Sequence, residues 1–319
     1  MKLPGTLIVS LDFELYWGMQ DCHSLENYKQ NIIGGRKAIP RMLEMFGKYG
    51  IHATWATVGF QFAENYEELE TYFPKEEKRP SYLNGELSSY RCFENIENMD
   101  QDCFFAASLV KEISEQEGQE IASHTFSHYY CREKGQTIEQ FEADMKAALD
   151  IAKAKGYEVT SVILPRNQCE PEYTEILQKV GFTAYRDEEN DWIHEKIKIR
   201  PLMRMLRLMD VYFPLTGQGG YKPKYENGIW NLVGSRMYKP IFKSLSFLEK
   251  QKVRRIKKQM FHAAKNGLVF HLWWHPHNVG VMTDAHMKQL DEIFSYYQLM
   301  KQKYGMESLN MREVAERNK

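Results

Sequence analysis

Asp12 and Glu14 stand two residues apart at the end of an apolar run, and His124 and His128 stand four apart directly after another. In SLDFE (10–14), strand geometry puts both carboxylates on one face and Leu11 and Phe13 on the other. Two buried carboxylates are costly without a cation or hydrogen bonds. The pair is therefore either an acidic couple at an exposed strand end or part of a charged site. The imidazoles, one closing a strand and one a helical turn later, can converge on a single ion, imidazole being the commonest metal ligand at neutral pH. The alternative is an ordinary surface pair. Two histidines, one carboxylate and an open position make a catalytic metal site. The helical zinc-protease pattern is absent, because Thr125 stands where it needs a glutamate.

Two more polar clusters follow apolar runs. In FHLWWHPHNVG (270–280), His275 is held by Pro276 and is a candidate proton donor. His271 reads as structural, and Trp273 and His277 are candidates for substrate contact. In SVILPRNQCEP (161–171), Arg166, Asn167 and Gln168 could orient a carboxylate or hold sugar hydroxyls. Ordinary loop hydrogen bonding is the competing reading there.

These clusters need elements to carry them. Strands are expected at 6–12, 51–58, 119–124, 159–165, 182–186, 208–213 and 268–274, with helices over 35–50 and over 137–156, the latter capped by Thr137. Short apolar strands alternating with helices imply an α/β fold with mostly parallel strands. Seven strands suit a barrel, and all four clusters lie at carboxyl ends of strands, where such barrels build active sites. Segments 64–105 and 214–236 are long excursions of the kind that form lids or binding loops. The basic run KQKVRRIKKQ (250–259) reads as a solvated helix face.

The 319 residues, 43% of them hydrophobic, can bury a large core, and a net charge of −1 offers no bulk field for nucleic acid or an anionic membrane surface. Five scattered cysteines without a C-x-x-C pair fit a reducing compartment. The short apolar start, cut by Asp12 and Glu14, reads as a strand rather than a signal or an anchor. No integral membrane segment is expected, and the expected location is cytoplasmic.

In chain order, SLDFE, HATWATVG (52–59), SHTFSH (123–128), LPRNQ (164–168) and WWHP (273–276) resemble the motifs of the polysaccharide deacetylase family, the NodB-type carbohydrate esterases. The resemblance implies a distorted (β/α)7-type barrel spanning 1–319 as one catalytic domain with long loop insertions. It implies hydrolysis of the acetyl group of an N-acetylated, or O-acetylated, sugar with a divalent metal, most often zinc, with cobalt, nickel or manganese as substitutes. Carried over by position, Glu14, His124 and His128 are the ligands, Asp12 the general base and His275 the general acid. Without an export signal, an intermediate of surface-polysaccharide or lipopolysaccharide assembly is the expected substrate. Two departures stand out: Phe13 occupies the place of the usual second aspartate, and Ile163 and Leu164 precede Pro165 where the family has an arginine. Trp192, in NDWIH, matches a further family tryptophan weakly. Cleavage of a small non-sugar amide, as in allantoinase-like relatives, is one alternative. A catalytically silent carbohydrate-binding barrel is the other.

Overall fold

The computed structural model describes residues 3–187, 192–197 and 199–318. Its strands are β1 (Thr6–Phe13), β2 (Ala53–Thr57), β3 (Gln119–Ser123), β4 (Ser161–Ile163), β5 (Ala184–Arg186), β6 (Lys224–Glu226), β7 (Ile229–Asn231), β8 (Arg236–Met237), β9 (Val269–Trp274) and β10 (Glu307–Ser308). The helices are α1 (Leu25–Tyr49), α2 (Tyr66–Glu70), α3 (Ala107–Ser114), α4 (Ile138–Ala154), α5 (Pro171–Val180), α6 (Trp192–Lys196), α7 (Arg200–Tyr212), α8 (Glu249–Asn266), α9 (Thr283–Tyr304) and α10 (Met311–Arg317). No described helix is long and apolar enough to cross a membrane.

One sheet runs in the order β6-β7-β5-β4-β3-β2-β1-β9-β8, with β10 beside β1 and only β6 antiparallel to its neighbour. The strand ladder does not close end to end. One continuous segment nevertheless bonds both edges: β7 pairs with β5, Gly234 N–H donates to the Asp187 carbonyl, Ser235 N–H donates to the His271 carbonyl, and β8 pairs with β9. The apolar packing shows the same curl. Ile8, Ala56, Ile163, Ala184 and Val269, one from each of five strands, meet Leu232 and the α10 residues Met311 and Val314 in a single buried cluster. Strands of a flat sheet this wide could not bring those side chains together. The sheet is thus a distorted barrel with α10 plugging its amino-terminal end.

Side-chain alternation places the site. On β1, Leu7, Val9, Leu11 and Phe13 face outward into the main core with the helices. Ile8 faces inward, so Ser10, Asp12 and Glu14 climb the inner wall. By the same parity Ala184 and Arg186 share the inner face of β5, and Val269, His271 and Trp273 that of β9. Apolar inward residues fill the floor and polar ones the carboxyl-end mouth.

The expected helix over 35–50 extends back to Leu25 and ends at Gly50, whose φ of 57° supplies the left-handed turn. Thr137 caps α4 in a reciprocal box with Gln140. Three expectations are corrected. Residues 208–213 finish α7 and form no strand; the missing barrel strand comes from 229–237, inside the second excursion. The Leu-Met run was ambiguous between periods because its helical repeat starts upstream, at Leu202. Within the basic run, Lys252 and Arg255 are buried, bound to Glu249 and Asp210, so that face of α8 is not wholly solvated. A third reading, that the aromatics of the excursions favour a saccharide groove, is not supported by their packing: Tyr66, Tyr72, Tyr82, Tyr90, Tyr221 and Trp230 lie against apolar clusters.

Candidate active site

At the barrel mouth, three imidazoles approach one carboxylate oxygen. Glu14 Oε1 lies 3.0 Å from His124 Nε2, 3.4 Å from His128 Nε2 and 3.4 Å from His275 Nε2. Glu14, His124 and His128 are all buried, with donor atoms within 4.8 Å of one another. Separations of 3.0 and 3.4 Å suit donors sharing one tetrahedral ion, whose bonds of about 2.0–2.1 Å set edges near 3.3 Å. Borderline nitrogen donors with a carboxylate are a zinc set, and the residues fit such an ion.

The backbone reaches these positions through conformations that branched or bulky residues rarely adopt. Leu15, Thr125, His128, Arg166 and Asn167 all have φ between 50° and 65°, and all five lie at the mouth. Several bonds hold the histidine turn. Gly59 N–H donates to the Thr125 carbonyl, Tyr129 N–H donates to Thr125 Oγ1, and the buried Asp144 accepts from Phe126 N–H and from Ser127 N–H and Oγ–H. Burial pushes the Asp144 carboxyl up to about 7 against those bonds.

Asp12 adjoins this centre, with Asp12, Glu14 and His275 offering donor atoms within 4.8 Å of one another, but it is tied to a different partner. Arg186 clasps it with two bonds, Nη1 to Oδ1 at 2.8 Å and Nη2 to Oδ2 at 2.7 Å. Two of the three remaining guanidinium protons are directed too: Nε donates to Asn167 Oδ1 and Nη1 also to Ser10 Oγ. Ser10 in turn donates to His271 Nε2, while His271 Nδ1 donates to the Leu232 carbonyl. Burial, with Arg186 second, lowers His271 to about 3, so this ring is neutral and the network has one consistent set of protons. Trp273 lies 4.2 Å from the guanidinium, covering it.

The charges are divided accordingly. Burial alone would raise both carboxyls. For Asp12, Arg186, His275 and His124 outweigh it and bring the group below its usual value. For Glu14, His275 and the bonds from His124 and His128 do so by a wider margin. Burial opposes the His275 cation, but Glu14 and Asp12 overcome it and the imidazole is raised above its usual value. His275 Nε2 sits 3.7 Å from Asp12 Oδ2, and its side chain, 18% exposed, opens toward solvent. Proton-accepting and proton-donating groups therefore flank one metal-ligand set.

All five expected catalytic and ligand residues are thus brought together. The four expected substrate contacts are placed differently. Asn167 and Trp273 support Arg186, and Arg166 bridges Asp21 and Glu133 over the Tyr130 ring. His277 is buried and stacked on His275. Arg166, Asn167 and Trp273 also line a cavity of about 340 Å³ with Arg207, Arg236 and Lys239. Trp192 lies away from the site, with its indole N–H on the Leu215 carbonyl; Asn190 and Asp191 of its motif lie outside the described residues.

Sequence reasoning missed Arg186 and Gly18. Arg186 is the buried cation that binds Asp12; a lone arginine closing the apolar FTAYR was the available signal. Gly18 is required by close approach, since a Cβ there would collide with the Glu14 carboxylate. Gly18→Ala is expected to displace Glu14 and reduce bound metal about 10–100-fold in affinity, read by competition with a chelating dye.

Residues 32–185, just under half of the chain, match the polysaccharide deacetylase family, and over that span the chain is similar to carbohydrate deacetylases of that family. The match stops one residue short of Arg186. No curated protein matches this sequence. Among solved structures, a protein from Mycobacterium smegmatis assigned as a polysaccharide deacetylase aligns at a TM-score of 0.60 with 11% identity, over 98% of this chain and 90% of that one. A 4-alpha-glucanotransferase from Thermococcus litoralis aligns at 0.55 with 12% identity, over 98% and 40%. PuuE allantoinase aligns at 0.54 with 13% identity, over 98% and 89%. Such identities show a shared fold, and the three names cover different chemistries.

Proposed function

We propose that this protein is a metal-dependent hydrolase that removes the acetyl group from an N-acetylated sugar, an intermediate of surface-polysaccharide or lipopolysaccharide assembly. The observation that carries the reading is the division of labour between two carboxylates two residues apart. Glu14 faces the histidines, whereas both oxygens of Asp12 are bound by Arg186.

Glu14, His124 and His128 would hold the ion, most often zinc for this donor set. When bound, it polarises the acyl carbonyl and acidifies water toward about 7. Asp12, kept ionised and oriented by the guanidinium fork, accepts the proton of the attacking water at its carboxylate oxygen. His275, kept protonated by the two carboxylates, delivers a proton from Nε2 to the departing amine nitrogen. His277, lowered to about 3 by burial and by His275, stays neutral and supports that ring without competing for its proton.

The base, the three ligands and the acid are all present, which disfavours a silent binding barrel. The cavity beside Trp273 sets Arg166, Arg207, Arg236 and Lys239 against Asp187 and Asp210, an excess of positive charge that supports a sugar bearing an anionic group over a small neutral amide. Acetate release from N-acetylglucosamine 1-phosphate and from an N-acetylglucosamine oligomer, measured beside the hydrolytic ring opening of allantoin to allantoate, tests the choice. Acetate from the sugars with allantoin untouched is expected. Turnover of allantoin alone would transfer the site to small-amide hydrolysis.

A further inference from the structure

Helix α7 contributes no residue to the Glu14, His124 and His128 cluster. This helix turns its apolar stripe to solvent. Leu202, Met205 and Met209 recur at helical spacing, with Ile199 before them and Phe213 after, and these five are between 36% and 64% exposed. At about 100° per residue, Arg200, Arg204 and Arg207 fall on the opposite sector. The helix is tied to the body by its last turn, where the buried Asp210 binds Arg236 and Arg255 at 2.7 Å each and Val211 and Tyr212 are buried. Its amino-terminal turns have no buried side chain.

A face of this kind has a physical occupant. Residues 196–209 hold five lysines and arginines and no acidic residue, in a chain whose net charge is −1. An apolar stripe with a cationic opposite face is the composition of helices that lie in the headgroup region of an anionic bilayer, where long arginine side chains reach phosphates from the flanks. A protein partner would need acidic complementarity to the arginines and a groove for the stripe. An anionic lipid surface offers both along the roughly 20 Å of a 13-residue helix. The same helix contributes Arg207, Asp210 and Val211 to the wall of the cavity that reaches Asn167 and Trp273. Seating the stripe would hold that cavity at headgroup height.

We propose that α7 docks this protein on an anionic membrane surface through Ile199, Leu202, Met205, Met209 and Phe213. The docking needs neither the metal nor acyl chemistry, so it stands or falls separately from the proposed hydrolysis.

The test is flotation of the full-length protein with phosphatidylglycerol–phosphatidylcholine vesicles and with phosphatidylcholine vesicles alone. The wild type is compared with the double variant Met205→Glu/Met209→Glu and with Arg200→Gln/Arg204→Gln. Both pairs are exposed, and thermal melts confirm that the fold is kept. Binding to the anionic vesicles is expected, weaker by about tenfold or more in each double variant and on neutral lipid. Absence of binding, or equal binding by the glutamate variant, overturns the proposal. So does sedimentation showing a lipid-free wild-type dimer that Met205→Glu/Met209→Glu converts to monomer, since the stripe would then cover a second copy.

Discussion

Replacing Arg186 by methionine is expected to lower the unfolding free energy by about 3–5 kcal/mol, the cost of leaving one member of a buried ion pair without its partner. Arg186 is 1% exposed and Asp12 6%, so neither charge is screened by water. The loss extends past the pair. Asn167 Oδ1 and Ser10 Oγ both lose a donor, and the Trp273 ring loses the cation it covers. Denaturant unfolding followed by circular dichroism measures the change. Because Arg186 touches none of Glu14, His124 and His128, metal content should be retained while kcat falls with KM little changed. Arg186→Lys should recover little, as one ammonium cannot serve both Asp12 oxygens, Asn167 and Ser10 together. Variants as stable and active as the wild type would remove Arg186 from its positioning role.

Asp12→Asn is expected to lower kcat by about two to four orders of magnitude, the usual contribution of a general base. The amide keeps the size of the carboxyl but cannot take a proton, and its NH2 faces a guanidinium that can only donate. A stability loss therefore accompanies the kinetic one, and assays belong well below the variant's melting temperature. His275→Gln removes the donor on the other side and should cut turnover by a similar factor. The pair act on one proton path, so the double variant should be little slower than either single one. Near-normal turnover in Asp12→Asn, on a substrate shown to be cleaved, would refute the assignment of the base.

Much of this site could be read before any coordinates because alternation is a local property. SLDFE puts Asp12 and Glu14 on one face whatever the rest of the chain does, and a strand end followed by a tight turn brings His124 and His128 to the same place. Both inferences needed only neighbouring residues. Arg186 was missed because its partner, Asp12, lies 174 positions away on a strand that is not its neighbour. Only the curl of the sheet brings β5 across from β1, and no local pattern encodes that closure. Residues 208–213 failed for the opposite reason: a short Leu-Met run fits both a strand and the end of a helix, and the exposed stripe beginning at Leu202 decides for the helix. Gly18 was invisible because close approach to Glu14 is a matter of the folded turn, not of spacing.

The central claim is that Glu14, His124 and His128 form one metal site, and elemental analysis of protein purified without chelator tests it most directly. The account predicts about one zinc or similar divalent ion per chain, lost in Glu14→Ala and in His128→Ala and kept in Arg186→Met. Protein that takes up no metal when zinc is supplied, or variants that hold as much as the wild type, would contradict it.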